Sequence, residues 1–121
     1  MSNERPRVTL EHTELRERFD LDALDPDDPF ELDSGNIPHL AKHAPFTAED
    51  VLDAWAFGDP LFYPAADDGH ADWLMLARLP EAIVLVPLAP SRSNDLRKCR
   101  PTGINEPSRA LVARYEEDSR R

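Results

Sequence analysis

Two apolar segments joined by a short polar connection constrain the fold of this chain more than any other feature. Residues 73–79 are Trp-Leu-Met-Leu-Ala-Arg-Leu, and residues 82–88 are Ala-Ile-Val-Leu-Val-Pro-Leu. Runs of this length and composition favour β-strands, and the tight connection through Pro80 and Glu81 predicts an antiparallel hairpin. Because the second run is almost continuously apolar, we predict a central strand, with Pro87 near its end or at a bulge.

The start of a helix is marked just before residue 48. Thr47 and Asp50 form a capping-box pattern, and Phe46 before the cap can pack on Val51 as a hydrophobic staple. The helix is predicted over residues 48–57, because the glycine, aspartate and proline that follow do not continue a helix.

The remaining elements complete an α+β domain. They are a short helix over 14–24, an edge strand over 30–33, a short helix from Pro38 to near His43, strands over 61–63 and 96–102, and a helix over 106–117. We predict a curled antiparallel sheet of three to five strands with two N-terminal helices and one C-terminal helix. Residues 1–29, rich in proline and aspartate, are interpreted as an N-terminal arm that packs on the domain or masks its basic end, and residues 30–121 as the domain.

Charge is distributed unevenly along the chain. The net charge is −10, yet residues 91–121 carry eight basic and five acidic side chains, whereas residues 1–33 carry eleven acidic and four basic ones. An acidic surface repels phosphate, so the overall charge argues against nucleic-acid binding, while the asymmetry indicates an anion-binding C-terminal end. A solvated helix face with a basic tail explains the same pattern, and the sequence leaves both interpretations open.

The expected compartment follows from cysteine content and hydropathy. Cys99 is the single cysteine, so no disulfide can form within the chain. No apolar run approaches the ~18 residues of a membrane span, and the first residues lack the apolar stretch of a signal peptide. Two histidines, His39 and His43, are weak evidence for a metal. We therefore expect a cytoplasmic protein with no membrane association, metal or cofactor.

Short motifs follow one another in a characteristic order from Phe30 to Glu117. They are Phe30-Glu-Leu-Asp, Asn36-x-x-His39-Leu-x-Lys42-His43, Thr47-x-Glu-Asp-Val, Asp59-Pro60, His70 ahead of a strand, Ile83-Val-Leu-Val, Arg100-Pro-Thr and Arg114-Tyr115-Glu-Glu. In this order the chain resembles the BrnT toxins of bacterial type II toxin–antitoxin pairs. The resemblance covers about residues 30–117 and implies a RelE-like fold.

The resemblance also implies a metal-independent endoribonuclease that a cognate antitoxin neutralises. Such an enzyme needs a base for the ribose 2′-hydroxyl, cations for the phosphorane and an acid for the leaving oxygen. The family match makes Lys42 and His43 the first catalytic candidates, joined by Arg100 as a phosphate-binding cation. The alternative for His43 is a cap on the carbonyls at the end of its helix.

Further candidates for RNA binding lie on the hairpin and in the C-terminal part. They are Arg78, Lys98, Arg109, Arg114 and Tyr115. Strand alternation places Lys98 and Arg100 on one face, which we expect to line a groove, and leaves Cys99 for the core. For the arginines the alternative is a solvated surface. Tyr115 either stacks on a base or anchors the last helix to the core.

Three positions depart from the pattern of the family. Asp72 stands where an arginine usually enters the strand, Asn105 ends the stretch that usually reads Ser-Ala-Arg, and the last helix lacks its usual glutamate near Val112. These departures favour a second hypothesis, in which the chain is a catalytically degenerate binding module of the same fold that acts only through a protein partner.

Overall fold

A four-stranded antiparallel sheet forms the centre of the molecule. The computed structural model describes residues 18–33, 36–41, 46–66 and 70–120. The strands are β1 (Leu61–Pro64), β2 (Trp73–Arg78), β3 (Ile83–Pro90) and β4 (Cys99–Pro101), in the order β1-β2-β3-β4. Helices α1 (Ile37–Ala41) and α2 (Ala48–Phe57) precede the sheet, and α3 (Arg109–Ser119) follows it. The prediction of an α+β domain with an antiparallel sheet is confirmed.

The predicted hairpin is formed by β2 and β3. Arg78 pairs with Ile83, and the Leu79 N–H donates to the Ala82 carbonyl at 2.8 Å. Pro87 lies within β3, three residues before its end, and its carbonyl accepts from the Thr102 N–H at 3.0 Å. In an antiparallel strand the N–H and C=O of one residue point to the same side. The nitrogen of Pro87, which carries no hydrogen, therefore faces β4, and the pairing between β3 and β2 loses no hydrogen-bond donor.

Helix α2 begins and ends at the predicted residues. The Thr47 hydroxyl accepts from the Asp50 N–H at 3.3 Å, and the Asp50 carboxylate accepts from the Thr47 N–H at 2.8 Å. This is the predicted capping box, and at the other end the Gly58 N–H donates to the Ala54 carbonyl at 3.2 Å. Reciprocal capping fixes the start of α2 through local contacts alone, which is why the sequence reveals it.

Both faces of the sheet carry apolar side chains. The first face packs against α2 and the N-terminal residues. The buried side chains of this core include Phe62, Met75, Ala77, Val84 and Val86 from the sheet and Leu21, Leu24 and Phe30 from the N-terminal residues. On the second face Tyr63 and Leu76 are buried against Tyr115 of α3. Leu61, Leu74, Ile83 and Leu85 are only partly buried there. Within the part of the chain that the structure describes, α3 is the helix that packs on the second face, and these four side chains stay partly exposed beside it.

The N-terminal segment, defined here as residues 18–33, is integrated with the domain. Leu21 and Leu24 lie in the main core, although both fall within the predicted arm. Leu21–Ala23 form a 3₁₀ turn, and residues 18–20 have no helical structure. The prediction of a helix over 14–24 is therefore wrong for the described residues. Residues 14–17 of that helix lie outside the described residues.

Candidate functional site: strand β4 and its acidic partners

Strand β4 alternates between the core and the second face of the sheet. Cys99 is fully buried on the first face, as predicted, and burial raises the pKa of its thiol. A thiol whose pKa is raised remains protonated at neutral pH, so Cys99 is a core residue and not a nucleophile. Arg100 points to the second face, yet only 4% of it is exposed to solvent.

Each cation over residues 97–100 is paired with a carboxylate of the N-terminal segment. Arg97 Nη2 lies 2.9 Å from Asp25, and Lys98 Nζ lies 2.9 Å from Asp28. Arg100 donates to the Glu31 carboxylate at 3.0 Å and also to Asp33. The basic strand predicted to bind phosphate is thus neutralised by the chain itself.

Backbone hydrogen bonds set the register of these ion pairs. The Asp25 N–H donates to the Arg97 carbonyl, and the Glu31 N–H donates to the Cys99 carbonyl, both at 2.8 Å. Phe30 forms an isolated parallel bridge with Cys99, which is all that remains of the edge strand predicted over 30–33. Residues 25–33 and 97–100 run parallel to each other. Successive paired acids along the first segment therefore lie beside successive basic residues of the second.

The carboxylate of Glu31 accepts four hydrogen bonds. Its oxygens accept from the Ser91 hydroxyl at 2.5 Å, the Ser93 hydroxyl at 2.8 Å, the Arg92 N–H at 3.1 Å and Arg100. The hydrogen bond from Ser91, supported by those from Ser93 and Arg100, lowers the pKa of Glu31 to about 2. Glu31 is not among the site residues predicted from sequence. The available signal was its i, i+2 spacing from Asp33, which places both acids on one side of an extended segment.

A cleft of about 390 Å³ opens beside Arg100. It is lined by Asn36, His70, Ala89, Pro90, Arg92, Arg100 and Thr102. Arg92 and His70 are exposed, and neither side chain forms an ion pair with another residue of the described part of the chain. The cleft therefore contains the exposed guanidinium of Arg92 and the imidazole of His70, together with Arg100, whose charge is balanced by Glu31 and Asp33.

Among the other predicted RNA-binding residues, Arg78 and Tyr115 lie together, with the guanidinium carbon of Arg78 5.8 Å from the centroid of the Tyr115 ring. Arg78 and Arg109 are exposed, and Arg114 pairs with Asp118 at 3.1 Å. Tyr115 is completely buried, and its hydroxyl donates to the carbonyls of Gly58 at 3.0 Å and Asp59 at 2.8 Å. A ring with no exposed surface is not available to a base, so the structure supports the alternative that Tyr115 anchors the last helix.

The three departures from the family pattern occupy structural positions. Asp72 is 4% exposed and accepts from the Phe19 N–H at 3.0 Å, which ties the N-terminal segment to the start of β2. Asn105 is exposed and pairs through its backbone with Leu85 of β3. Val112 is half-buried on α3. The carboxylate of Asp72 thus acts as a hydrogen-bond acceptor for the fold.

Several sequence predictions concern residues that the structure does not describe. Lys42 and His43, the first catalytic candidates, lie outside the described residues, so their distance from Arg100 and the cleft stays open. Among residues 18–33, 36–41, 46–66 and 70–120, no group of three histidine, cysteine or acidic side chains is arranged to hold a metal ion. No helix within those ranges has both the length and the apolar composition to span a bilayer.

Comparison of the chain with protein-family models, with curated proteins and with solved structures finds no match in any of the three.

Proposed function

We propose that this chain is a BrnT-like protein with a RelE-like fold that has become a binding module and acts through an antitoxin-like protein partner. The observation that carries the proposal is the pairing of Arg97, Lys98 and Arg100 with acids of the N-terminal segment. A ribonuclease of this fold would direct such cations at RNA phosphate. Here Arg100 joins the N-terminal segment to the sheet, and Arg97 and Lys98 form exposed ion pairs with the same segment.

The burial of Arg100 strengthens this argument. A phosphate that bound its guanidinium would have to displace Glu31 or Asp33, or enter a site that already contains both carboxylates. Glu31 would keep its hydrogen bonds from Ser91 and Ser93 but would lose a charge-assisted one, at a cost of about 1.5–3 kcal/mol. The overall charge of −10 adds long-range repulsion of RNA.

A second candidate function is the metal-independent endoribonuclease implied by the resemblance, and the cleft favours it. Arg92 and His70 line that cleft together with Arg100. A guanidinium stabilises charge on a phosphorane, and an imidazole transfers protons near neutral pH. In this hypothesis Lys42 and His43 supply the remaining acid–base chemistry with Arg100, and a cognate antitoxin blocks the site.

Expression of the chain with and without the protein encoded by the adjacent reading frame tests the proposal. We expect the two proteins to co-purify in a defined ratio, while expression of the chain alone leaves growth and bulk RNA unchanged. The triple variant Lys42→Ala, His43→Ala, Arg100→Ala is compared with the double variant Lys42→Ala, His43→Ala, because Arg100 also stabilises the fold. RNA degradation that the double variant abolishes would establish the endoribonuclease instead.

A further inference from the structure

Four hydrogen-bond donors surround the carboxylate of Glu31. We call them the donor cluster, and they are the hydroxyls of Ser91 and Ser93, the N–H of Arg92 and the guanidinium of Arg100. We propose that the donor cluster is a carboxylate-binding site, which Glu31 occupies as an internal ligand and thereby closes to the carboxylates of other molecules. This inference goes beyond the proposed function and does not depend on it, because it concerns the chemistry of the ligand alone.

The donors are divided evenly between the two oxygens of the carboxylate. Oε2 of Glu31 accepts from the Ser91 hydroxyl at 2.5 Å and from the Ser93 hydroxyl at 2.8 Å. Oε1 accepts from the Arg92 N–H at 3.1 Å and from Nη1 of Arg100 at 3.0 Å. An ionised carboxylate offers about four lone-pair positions to donors, so the donor cluster satisfies the whole group.

The loop between β3 and β4 holds its donors in place by hydrogen bonds of its own. The N–H groups of Ser93 and Asp95 donate to the Ser91 hydroxyl oxygen at 3.1 and 3.2 Å. Asn94 between them has a φ of 59°, a left-handed conformation that asparagine tolerates. Because the Ser91 oxygen accepts two N–H groups, its own O–H is polarised and becomes a stronger donor toward an anion. These contacts within the loop do not involve Glu31, so they persist when its carboxylate is removed.

The charges around the donor cluster favour a carboxylate over a phosphate. Arg100 donates to Asp33 as well as to Glu31, and Asp33 stays in place when Glu31 is absent. Asp95 belongs to the same loop as the serines and accepts from a backbone N–H there. A carboxylate that replaces Glu31 leaves the charge of the site unchanged, whereas a phosphate dianion adds a negative charge near both aspartates.

Opening the site requires the movement of one side chain. The backbone of Glu31 is held at β4, because its N–H donates to the Cys99 carbonyl at 2.8 Å, while its side chain is 16% exposed. Rotation about the side-chain bonds of Glu31 carries the carboxylate into solvent and leaves the N-terminal segment in place. Since Glu31 is tethered beside the donors, its effective concentration is high, and the native chain binds an external carboxylate weakly. Arg92 and Arg100 also line the cleft of about 390 Å³, which gives such a ligand a route to the donor cluster.

Removal of the internal ligand from the full chain tests the inference, with acetate as the probe. In Glu31→Ala the donor cluster loses its carboxylate, and acetate should replace it. We expect the melting temperature of Glu31→Ala to be about 4 °C or more higher in acetate than in chloride at the same ionic strength, because a ligand that binds only the folded chain stabilises it. In the native chain and in Glu49→Ala, which removes an exposed acid from α2, the two salts should agree within about 1 °C.

The serines of the donor cluster provide a second comparison. Adding Ser91→Ala and Ser93→Ala to Glu31→Ala should abolish the difference between acetate and chloride. If Glu31→Ala is unfolded in chloride, its refolding in acetate, measured by circular dichroism, supports the site, and failure to refold in acetate counts against it.

Three results would overturn the inference. The first is an equal melting temperature of Glu31→Ala in acetate and chloride, and the second is an acetate effect of the same size in Glu49→Ala. The third is a stabilisation of Glu31→Ala by inorganic phosphate, beyond its effect on the native chain, that exceeds the stabilisation by acetate. In that case the donor cluster is a phosphate site and the assignment to carboxylates is wrong.

Discussion

Arg100 on β4 donates a hydrogen bond to Glu31 at 3.0 Å, across 69 positions of the sequence. Only 5% of the Arg100 side chain and 16% of the Glu31 side chain are exposed, so the contact is largely shielded from water. The same arginine also donates to Asp33. A residue predicted to bind RNA phosphate thus joins the N-terminal segment to the sheet.

Replacing Arg100 tests whether this contact stabilises the fold. Arg100→Met removes the cationic partner of Glu31 and Asp33, while Glu31 keeps its hydrogen bonds from Ser91 and Ser93. We expect the free energy of unfolding to fall by about 2–3 kcal/mol, the loss of charge-assisted hydrogen bonds. Arg97→Met removes an ion pair in which the arginine side chain is 70% exposed, and it should cost less than about 1 kcal/mol. Urea denaturation measures both. Equal losses in the two variants would contradict the assigned role of Arg100.

The lowered pKa of Glu31 predicts how stability depends on pH. Its pKa falls from 4.5 to about 2 on folding, mainly through the hydrogen bond from Ser91. A carboxylate with a depressed pKa stabilises the fold fully above its unfolded pKa, and that contribution is lost as the pH falls from about 4.5 to 2. Urea midpoints recorded across this window should decline steeply for the native chain and less steeply for Glu31→Gln. The exposed Glu49→Gln serves as the control, and an unchanged slope in Glu31→Gln would argue against this assignment.

The buried hydroxyl of Tyr115 predicts a structural effect of its removal. In Tyr115→Phe the Asp59 carbonyl loses the hydroxyl donor, while the Gly58 carbonyl keeps its hydrogen bond from the Arg78 N–H. This loss should lower the free energy of unfolding by about 1–2 kcal/mol. Thermal unfolding followed by circular dichroism measures the change. Since the ring is completely buried, any RNA binding by the chain should be unaffected. A loss of RNA affinity in a variant of native stability would restore the stacking hypothesis.

The contribution of the N-terminal segment to the core predicts where the folded unit begins. A chain that starts at Phe30 lacks Leu21 and Leu24, and it also lacks Asp25 and Asp28, the partners of Arg97 and Lys98. We expect this truncation to give no cooperative unfolding transition. In the full chain, Leu21→Ala alone should cost about 2–5 kcal/mol, because it leaves a cavity in the core. A truncated chain with native-like stability would show that residues 30–121 fold independently.

The elements that the sequence predicts well are those stabilised by neighbours along the chain. Thr47 and Asp50 cap α2 from three positions apart, and the β2–β3 hairpin closes through Pro80 and Glu81. The core position of Cys99 also follows from strand alternation. The RelE-like fold and the BrnT-like function, by contrast, stay predictions that await the experiments above.

The candidate site could not be predicted because its contacts join distant segments. Arg97, Lys98 and Arg100 look like a basic strand when the sequence is inspected alone, and the acids that neutralise them lie about 70 residues earlier. Asp72 resembles a lost functional residue until its bond to the Phe19 N–H is seen. Charge pairing of this kind depends on the parallel alignment of two segments, and nothing in local sequence encodes it.

The sequence by itself determined the α+β class, the limits of α2, the hairpin and the alternation of β4, because propensity, capping and periodicity act over a few residues. Tertiary structure alone decided which charged side chains are paired within the described residues and which are not. Arg97, Lys98 and Arg100 are paired with acids of the N-terminal segment, whereas Arg92 and Arg109 form no ion pair within the described residues. The physical reason is that the availability of a charged side chain depends on what surrounds it in space, and the fold sets those surroundings.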